Sequence, residues 1–368
     1  MRADSGYHLW SETYDRDTND IFKVQDEISA AVVSALKLKL AAPALLASSR
    51  GTNSPEAYNQ FLIGEHLNRI NTLDGYRRAS VAFDSALALD PHYGKARAAS
   101  AYNRAQIADQ TGDGAALKRA IAEMEQNVPR APDQAWSYVF RGIARNVWLW
   151  DFAGAKSDYE KAIELNPTEP RYYVLYGVLL ADLGQFNAAI EVTQKMLAID
   201  PLATDAIINL AEMQLALRDW AGAEATLTRA LQIEPGYESA LGTGTSPGMA
   251  ALRLLQGRPA AALMFCRQIT DERIKRPCVA QAEYSAGHTS EAEAALAELL
   301  KTGATSNTYA IAQTYAWRDE TDKAFQWLDK AVALRDAGLG SLLGDRQLDS
   351  LHNDPRWKAL LKKVNLPE

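Results

Sequence analysis

From residue 55 onward, apolar side chains recur three and four positions apart, the spacing that gathers them on one stripe of an α-helix. The helical runs end alike: FDSALALDP at 83–91, YEKAIELNP at 159–167, TQKMLAIDP at 193–201 and LTRALQIEP at 227–235. Pro167, Pro201 and Pro235 are spaced by 34 residues (201 − 167 and 235 − 201). Twelve residues before the four closing prolines stand Ala79, Ala155, Ala189 and Ala223. Four further on come Phe83, Tyr159, Thr193 and Leu227, and three beyond those Ala86, Ala162, Met196 and Ala230. Proline ends each run because it lacks an N–H and disfavours helical geometry at the preceding residue, here Asp90, Asn166, Asp200 or Glu234. Two antiparallel helices per period pack closely only where one offers a small side chain to the other. Gly142, Gly177 and Ala211 supply it in the first helices, and the alanines in the second. The pattern predicts a stack of helix hairpins.

The A-x3-F…P skeleton, with the Y-x2-Y-G and L-G-x-F phrases between 173 and 186, resembles the tetratricopeptide repeat. The resemblance implies an all-α fold: an α-solenoid, a right-handed superhelix of antiparallel helix pairs. About eight pairs fit between 55 and 336. The last three, near 247–270, 274–301 and 305–336, keep Ala262, Ala292 and Ala324 but lose the closing proline. Ser54 before Pro55 and Ser246 before Pro247 read as helix starts, and Ser290 with Glu293 as a capping box. Residues 337–368 read as a tail with a helix from Pro355, its Lys358, Lys362 and Lys363 on the polar side, covering the last repeat.

The opening differs. SGYHLWSETYDR, residues 5–16, is aromatic and strand-like, and DIFKVQDEISAAVVSALKLKL, 20–40, lines up Ile21, Val24, Ile28 and Val32 as an amphipathic helix. A linker over 46–54 separates this unit, 1–45, from the repeats. GYHLWSETYDRDTNDIFKVQDEI resembles the last strand and helix of the TolB-like domain of bacterial tetratricopeptide-repeat proteins. In that family a winged-helix DNA-binding or adenylate-cyclase module often lies upstream. VWLWDFAGAKSDYEKAIELNP and LHNDPRWKALLKKVNLP are similar to its repeat region and ending. This chain has only a strand–helix remnant of the domain, so the activities of those modules do not carry over. A lone strand leaves a sticky edge: it either pairs with the same segment of another copy, making a homodimer, or lies disordered, while helix 20–40 packs on the first repeat.

Composition narrows the functions. The chain is 47% hydrophobic and 23% charged, with net charge −7 and pI about 5.4. Nothing supplies the basic face that nucleic acid needs. No run approaches the roughly 18 apolar residues of a membrane span, and the start lacks the features of a signal peptide. These features predict a soluble, cytoplasmic protein, or a periplasmic one if a membrane-anchored module precedes it. Cys266 and Cys278 read as packed reduced thiols; a bridge between neighbouring helices is the alternative outside the cytoplasm. The five histidines are scattered, and GTGTSPG at 242–248 lacks the lysine of a phosphate-binding loop. No catalytic residue, cofactor or metal is expected, and the chain is not read as an enzyme.

A superhelical stack offers a concave surface lined by its first helices. The helical projection points Tyr102, Val139, Ile143, Val178, Ile208, Asn209, Glu212, Leu215, Tyr309 and Gln313 toward it. The mostly apolar and aromatic set predicts a protein or peptide partner with hydrophobic anchors; inter-repeat packing is the competing role for the same residues. Trp148 and Trp150 fall at a turn between paired helices and read as packing under it. The expected function is a non-catalytic interaction scaffold, with a regulatory fragment of a cyclase-like enzyme or a small-ligand sensor as alternatives.

Overall fold

A computed structural model describes residues 27–28, 50–70, 72–242, 248–304 and 307–368. The strand expected over 5–14, nearly all of helix 20–40, and the Ser246–Pro247 helix start lie outside the described residues. The chain forms two compact units, one up to Ala144 and one from Arg145 onward.

In the first unit, α1 (Pro55–Asn68) pairs with α2 (Leu73–Leu89), and α3 (Gly94–Thr111) with α4 (Gly114–Glu125). A short α5 (Asn127–Arg130) leads to α6 (Ala135–Ile143). The Ser54 hydroxyl accepts the Ala57 N–H at 3.1 Å, so the first orphan amides of α1 are capped and Pro55 begins the helix. Packing follows the small-residue rule: Ala79, Phe83 and Ala86 are completely buried. A Cβ added at Gly64 would lie 2.5 Å from the Phe83 ring, so only glycine admits the aromatic side chain at that crossing.

In the second unit the pairs are α8 (Pro170–Asp182) with α9 (Phe186–Ile199), and α10 (Thr204–Ala216) with α11 (Trp220–Ile233). They are preceded by α7 (Phe152–Leu165) and followed by a single turn, α12 (Glu238–Leu241). Then come α13 (Met249–Leu255) with α14 (Pro259–Cys266), α15 (Glu272–Ser285) with α16 (Thr289–Gly303), and α17 (Thr308–Trp317) with α18 (Thr321–Leu334). Two 3-10 helices, Ala337–Ser341 and Arg346–Leu351, precede α19 (Pro355–Lys363). The alanines at the repeat positions, Ala155, Ala189, Ala223, Ala262 and Ala324, have no exposed surface. Asp151 and Asp219 cap α7 and α11 by accepting the amides of Gly154 at 3.0 Å and Gly222 at 2.9 Å. At the far ends, Asn166 and Glu234 leave helical geometry before their prolines, each still donating its N–H to the alanine four residues back.

Three local features depart from the sequence reading or add to it. α16 begins one residue before Ser290, with His288 at its N-cap and no side-chain cap; Glu293 pairs with Arg318 instead of closing a capping box. Pro277 sits inside α15, where it cannot donate to the carbonyl four residues back, that of Arg273. Asn307 Nδ2 takes that acceptor at 2.8 Å. Finally, Cys266 and Cys278 form a disulfide across Cα atoms 5.6 Å apart, joining the end of α14 to α15. Their reading as free thiols is corrected: the inter-helix turn brings two residues twelve apart within bridging reach.

Candidate functional site

The first helices of the second unit form a surface that is already occupied. Residues 337–351 leave the last pair after α18, cross α17, α15, α10 and α8, and return at α19. Both ends of this strap are in 3-10 geometry, which has three residues per turn and aligns every third side chain. Leu339, Asp345, Leu342, Leu348 and Leu351, spaced by three, are all at most 5% exposed. A Cβ at Gly338 would lie 2.4 Å from the Tyr309 ring, and one at Gly344 would lie 3.2 Å from the Phe186 ring. Glycine at these two places lets the strap backbone press against the helices.

Polar contacts hold the middle of the strap. Asp345 Oδ2 accepts from Tyr309 Oη at 2.8 Å and from Gln313 Nε2 at 2.7 Å, and its Oδ1 accepts the Gln347 amide at 2.9 Å. Gln347 Nε2 reaches Gln281 Oε1 at 2.8 Å, whereas Gln347 Oε1 is buried without a hydrogen-bond partner. Arg346 Nε donates to the Ala216 carbonyl at 2.7 Å, satisfying the end of α10, and Ser350 Oγ donates to the Ala316 carbonyl at 3.2 Å. Arg218 pairs with Asp349. At the strap's root, the Asp336 carboxylate accepts from Thr308 Oγ1 at 2.7 Å and from the Tyr309 amide at 3.0 Å.

Beneath the strap lies a cavity of about 50 Å³ with three carboxyl groups on its wall, Asp182, Glu212 and Asp345. Loss of solvent pushes the Asp345 carboxyl up to about 6, against the opposing pull of its three hydrogen bonds. Desolvation alone pushes Asp182 up to about 7. Burial, then the facing Asp345 carboxylate, holds the Tyr309 hydroxyl well above its ordinary value, so it stays a donor.

A second contact within this unit joins its first turn to its last pair. Arg335 lies over the Trp150 ring, 4.7 Å from the centroid, and donates to the Trp148 carbonyl. Asn365 Nδ2 donates to the Trp150 carbonyl at 2.8 Å. Trp148 is buried, in keeping with packing under the turn. Trp150, Arg335 and Asn365 all adopt positive φ, between 51° and 59°. That region is unfavourable for residues with a Cβ, so the packing must hold them there.

The structure places the ten expected groove residues unequally. Tyr309 and Gln313 are buried against the strap and bonded to Asp345, and Glu212 lines the cavity beside it. Ile208 and Leu215 are corrected to core: they pack between α10, α11 and α13 with Ala211, Leu227 and Leu252. Val139 and Ile143 are likewise buried in α6. Asn209 is half-buried, and Val178 alone of the ten is exposed, at 37%. In the first unit Tyr102 is half-buried, tilted against Phe140 at 6.2 Å, its hydroxyl accepting from Gln106 at 2.6 Å. Helical projection finds which side faces inward; it does not find what covers that side. The missed residues, 339–351, carried their own signal in the three-residue spacing of leucines around Asp345.

Among the described residues, no group of three or more His, Cys, Asp or Glu is arranged to hold a metal, and no helix is long and apolar enough to cross a membrane. The repeated helix pairs, with small residues at each crossing and an inner row of first helices, define a tetratricopeptide-repeat α-solenoid. Two tetratricopeptide-repeat family models match, over residues 158–191 and 180–243. The fold is similar to that of the APC/C hetero-tetramer Cut9–Hcn1, with a TM-score of 0.54 and 13% identity over 85% of this chain and 57% of that one. PilW, a type IV pilus biogenesis factor, is similar over 57% of this chain and 96% of its own, with 18% identity and a TM-score of 0.46. Putative adenylate cyclase 3 of Rhizobium meliloti (strain 1021) is 50% identical over 56 residues, 15% of this chain. The match spans 10% of that relative's length.

Proposed function

We propose that this chain is a non-catalytic scaffold that binds a protein or peptide partner along the first helices of its repeats, within a bacterial regulatory or signalling assembly. The observation that carries this reading is the strap: the inner surface of the second unit holds fifteen residues of polypeptide, 337–351, through side chains and carbonyls of successive first helices. A surface that grips one peptide so has the chemistry to grip another. The similarity to an adenylate cyclase supports a second reading, in which the repeats are the regulatory portion of a larger signalling enzyme. The disulfide supports an oxidising compartment over the cytoplasmic location expected from sequence. Pairing of two copies through the N-terminal segment stays a proposal, checked by the mass in solution of a chain lacking residues 1–50.

Partner capture from the native host tests the scaffold reading. The wild-type chain retains a defined partner, and Val178→Lys lowers retention at least tenfold with helicity unchanged. Equal retention by both chains overturns groove binding, and cyclic AMP formed from ATP by the purified chain overturns the non-catalytic assignment.

A further inference from the structure

The strap is built to be held and to be released. It is tethered at both ends, by Asp336 on α17 and by α19 on the last pair, so it can swing out without unwinding a repeat. Its hydrogen bonds are the shorter-range 3-10 kind, with poorer geometry than those of an α-helix. Three glycines, Gly338, Gly340 and Gly344, make the released form rich in conformations and so favour leaving. Gln347 Oε1 is buried unpaired, which weakens the hold further. Opposing these are four buried leucines and the Asp345 network, which give the strap its register.

We infer that the inner surface of the second unit is a peptide site whose resident occupant is the chain's own strap, and that a partner takes the site by displacing it. The displacing segment has the strap's chemistry: leucines at three-residue intervals on both sides of one carboxylate. The carboxylate meets Tyr309 Oη and Gln313 Nε2, buried donors that an apolar residue in its place would deprive of this acceptor. The leucines enter the sites of Leu342 and Leu348, which are closed to water in the resident form. This inference rests on the scaffold reading above and adds the recognised chemistry and the means of control.

The test uses the full chain and a fluorescein-labelled peptide of residues 336–352. Three proteins are compared by fluorescence anisotropy: wild type; a loosened strap, Leu342→Ser with Leu348→Ser; and a locked strap, Gly344→Cys with Ala216→Cys. A Cβ at Gly344 lies 3.4 Å from that of Ala216, close to disulfide spacing. The loosened chain binds the peptide at least tenfold tighter than wild type, and the oxidised locked chain at least tenfold weaker. Equal affinities in all three, or no binding to a loosened chain of unchanged helicity, overturn the inference. If the loosened chain loses helicity, hydrogen exchange on wild type decides: amides 338–351 exchange at least tenfold faster than those of α15 and α17. Exchange as slow as in those helices overturns it. A host partner that stays on the locked chain leaves the scaffold reading standing and removes this one.

Discussion

Tyr309 and Asp345 face each other across the inner surface, hydroxyl to carboxylate at 2.8 Å, each at most 5% exposed. They are 36 residues apart, and the contact ties the strap to α17. Removing the hydroxyl leaves the carboxylate with Gln313 and the Gln347 amide only. Tyr309→Phe therefore destabilises by roughly 1–3 kcal/mol, the range for a buried polar group losing a partner. The same change raises the Asp345 titration above about 6, because the hydroxyl favours the ionised form. Urea unfolding gives the first quantity and carboxyl-carbon NMR the second; an unchanged Asp345 titration would remove the tyrosine from the network.

The carboxyl groups under the strap give stability a definite pH dependence. Asp345 and Asp182 titrate near 6 and near 7 in the folded chain, above the ordinary value of 3.8. Between about pH 4 and those values the folded state keeps protons that the unfolded state has released, so stability falls as pH rises. The loss begins near pH 4, is complete for Asp345 just above 6 and for Asp182 just above 7, and then levels off. Each group contributes a slope of at most about 1.4 kcal/mol per pH unit. Carboxylates held low by arginine, such as Glu224 beside Arg253, act in the opposite sense, so the comparison must be between variants. Asp182→Asn, which cannot ionise, loses less stability than wild type between pH 5 and pH 7.5. Parallel unfolding curves at the two pH values would show that Asp182 is solvated.

Much of the fold was legible because tetratricopeptide packing is local. Ala79, Ala155, Ala189 and Ala223 lie where two helices adjacent in sequence cross, and the size of a side chain decides that contact alone. The site was less legible because its contents are distant in sequence. Tyr309 and Gln313 read as groove residues, yet both hydrogen-bond Asp345, which lies in what reads as a terminal cap. Ile208 and Leu215 belong to one buried cluster with residues of α11 and α13, a set of neighbours that a single-helix projection does not contain. The disulfide is only the second reading of the sequence for a similar reason: the turn after α14 decides whether two thiols twelve residues apart meet.

The repeat register predicts which substitutions overpack. Ala223 has no exposed surface, and a Cβ at Gly177 would already stand 3.1 Å from Thr193 Oγ1. Ala223→Trp and Gly177→Leu each destabilise by about 1–3 kcal/mol or more, as side chains forced into a filled crossing do. Gly64→Leu, against the Phe83 ring, does the same in the first unit. Thermal melts followed by circular dichroism check all three. A wild-type melting curve for Ala223→Trp would mean that the α10–α11 crossing is not where the structure puts it.

The last expectation concerns the bond between Cys266 and Cys278. The two sulfurs are fully buried and close a short loop around the turn from α14 to α15. This pair lacks the closing proline of the earlier repeats, and α15 carries Pro277 next to the bridged Cys278. The bond therefore ties the end of α14 to α15, a covalent link between two successive hairpins. Closing a loop of this size in the unfolded chain stabilises the fold by about 3 kcal/mol in the chain-entropy account. Cys266→Ala with Cys278→Ala removes that contribution while keeping both sites apolar, so the variant unfolds at lower urea. Dithiothreitol shifts the wild-type midpoint toward the variant's and leaves the variant where it is. If reduction moves neither protein, the two thiols are not joined, and the case for an oxidising compartment goes with the bond.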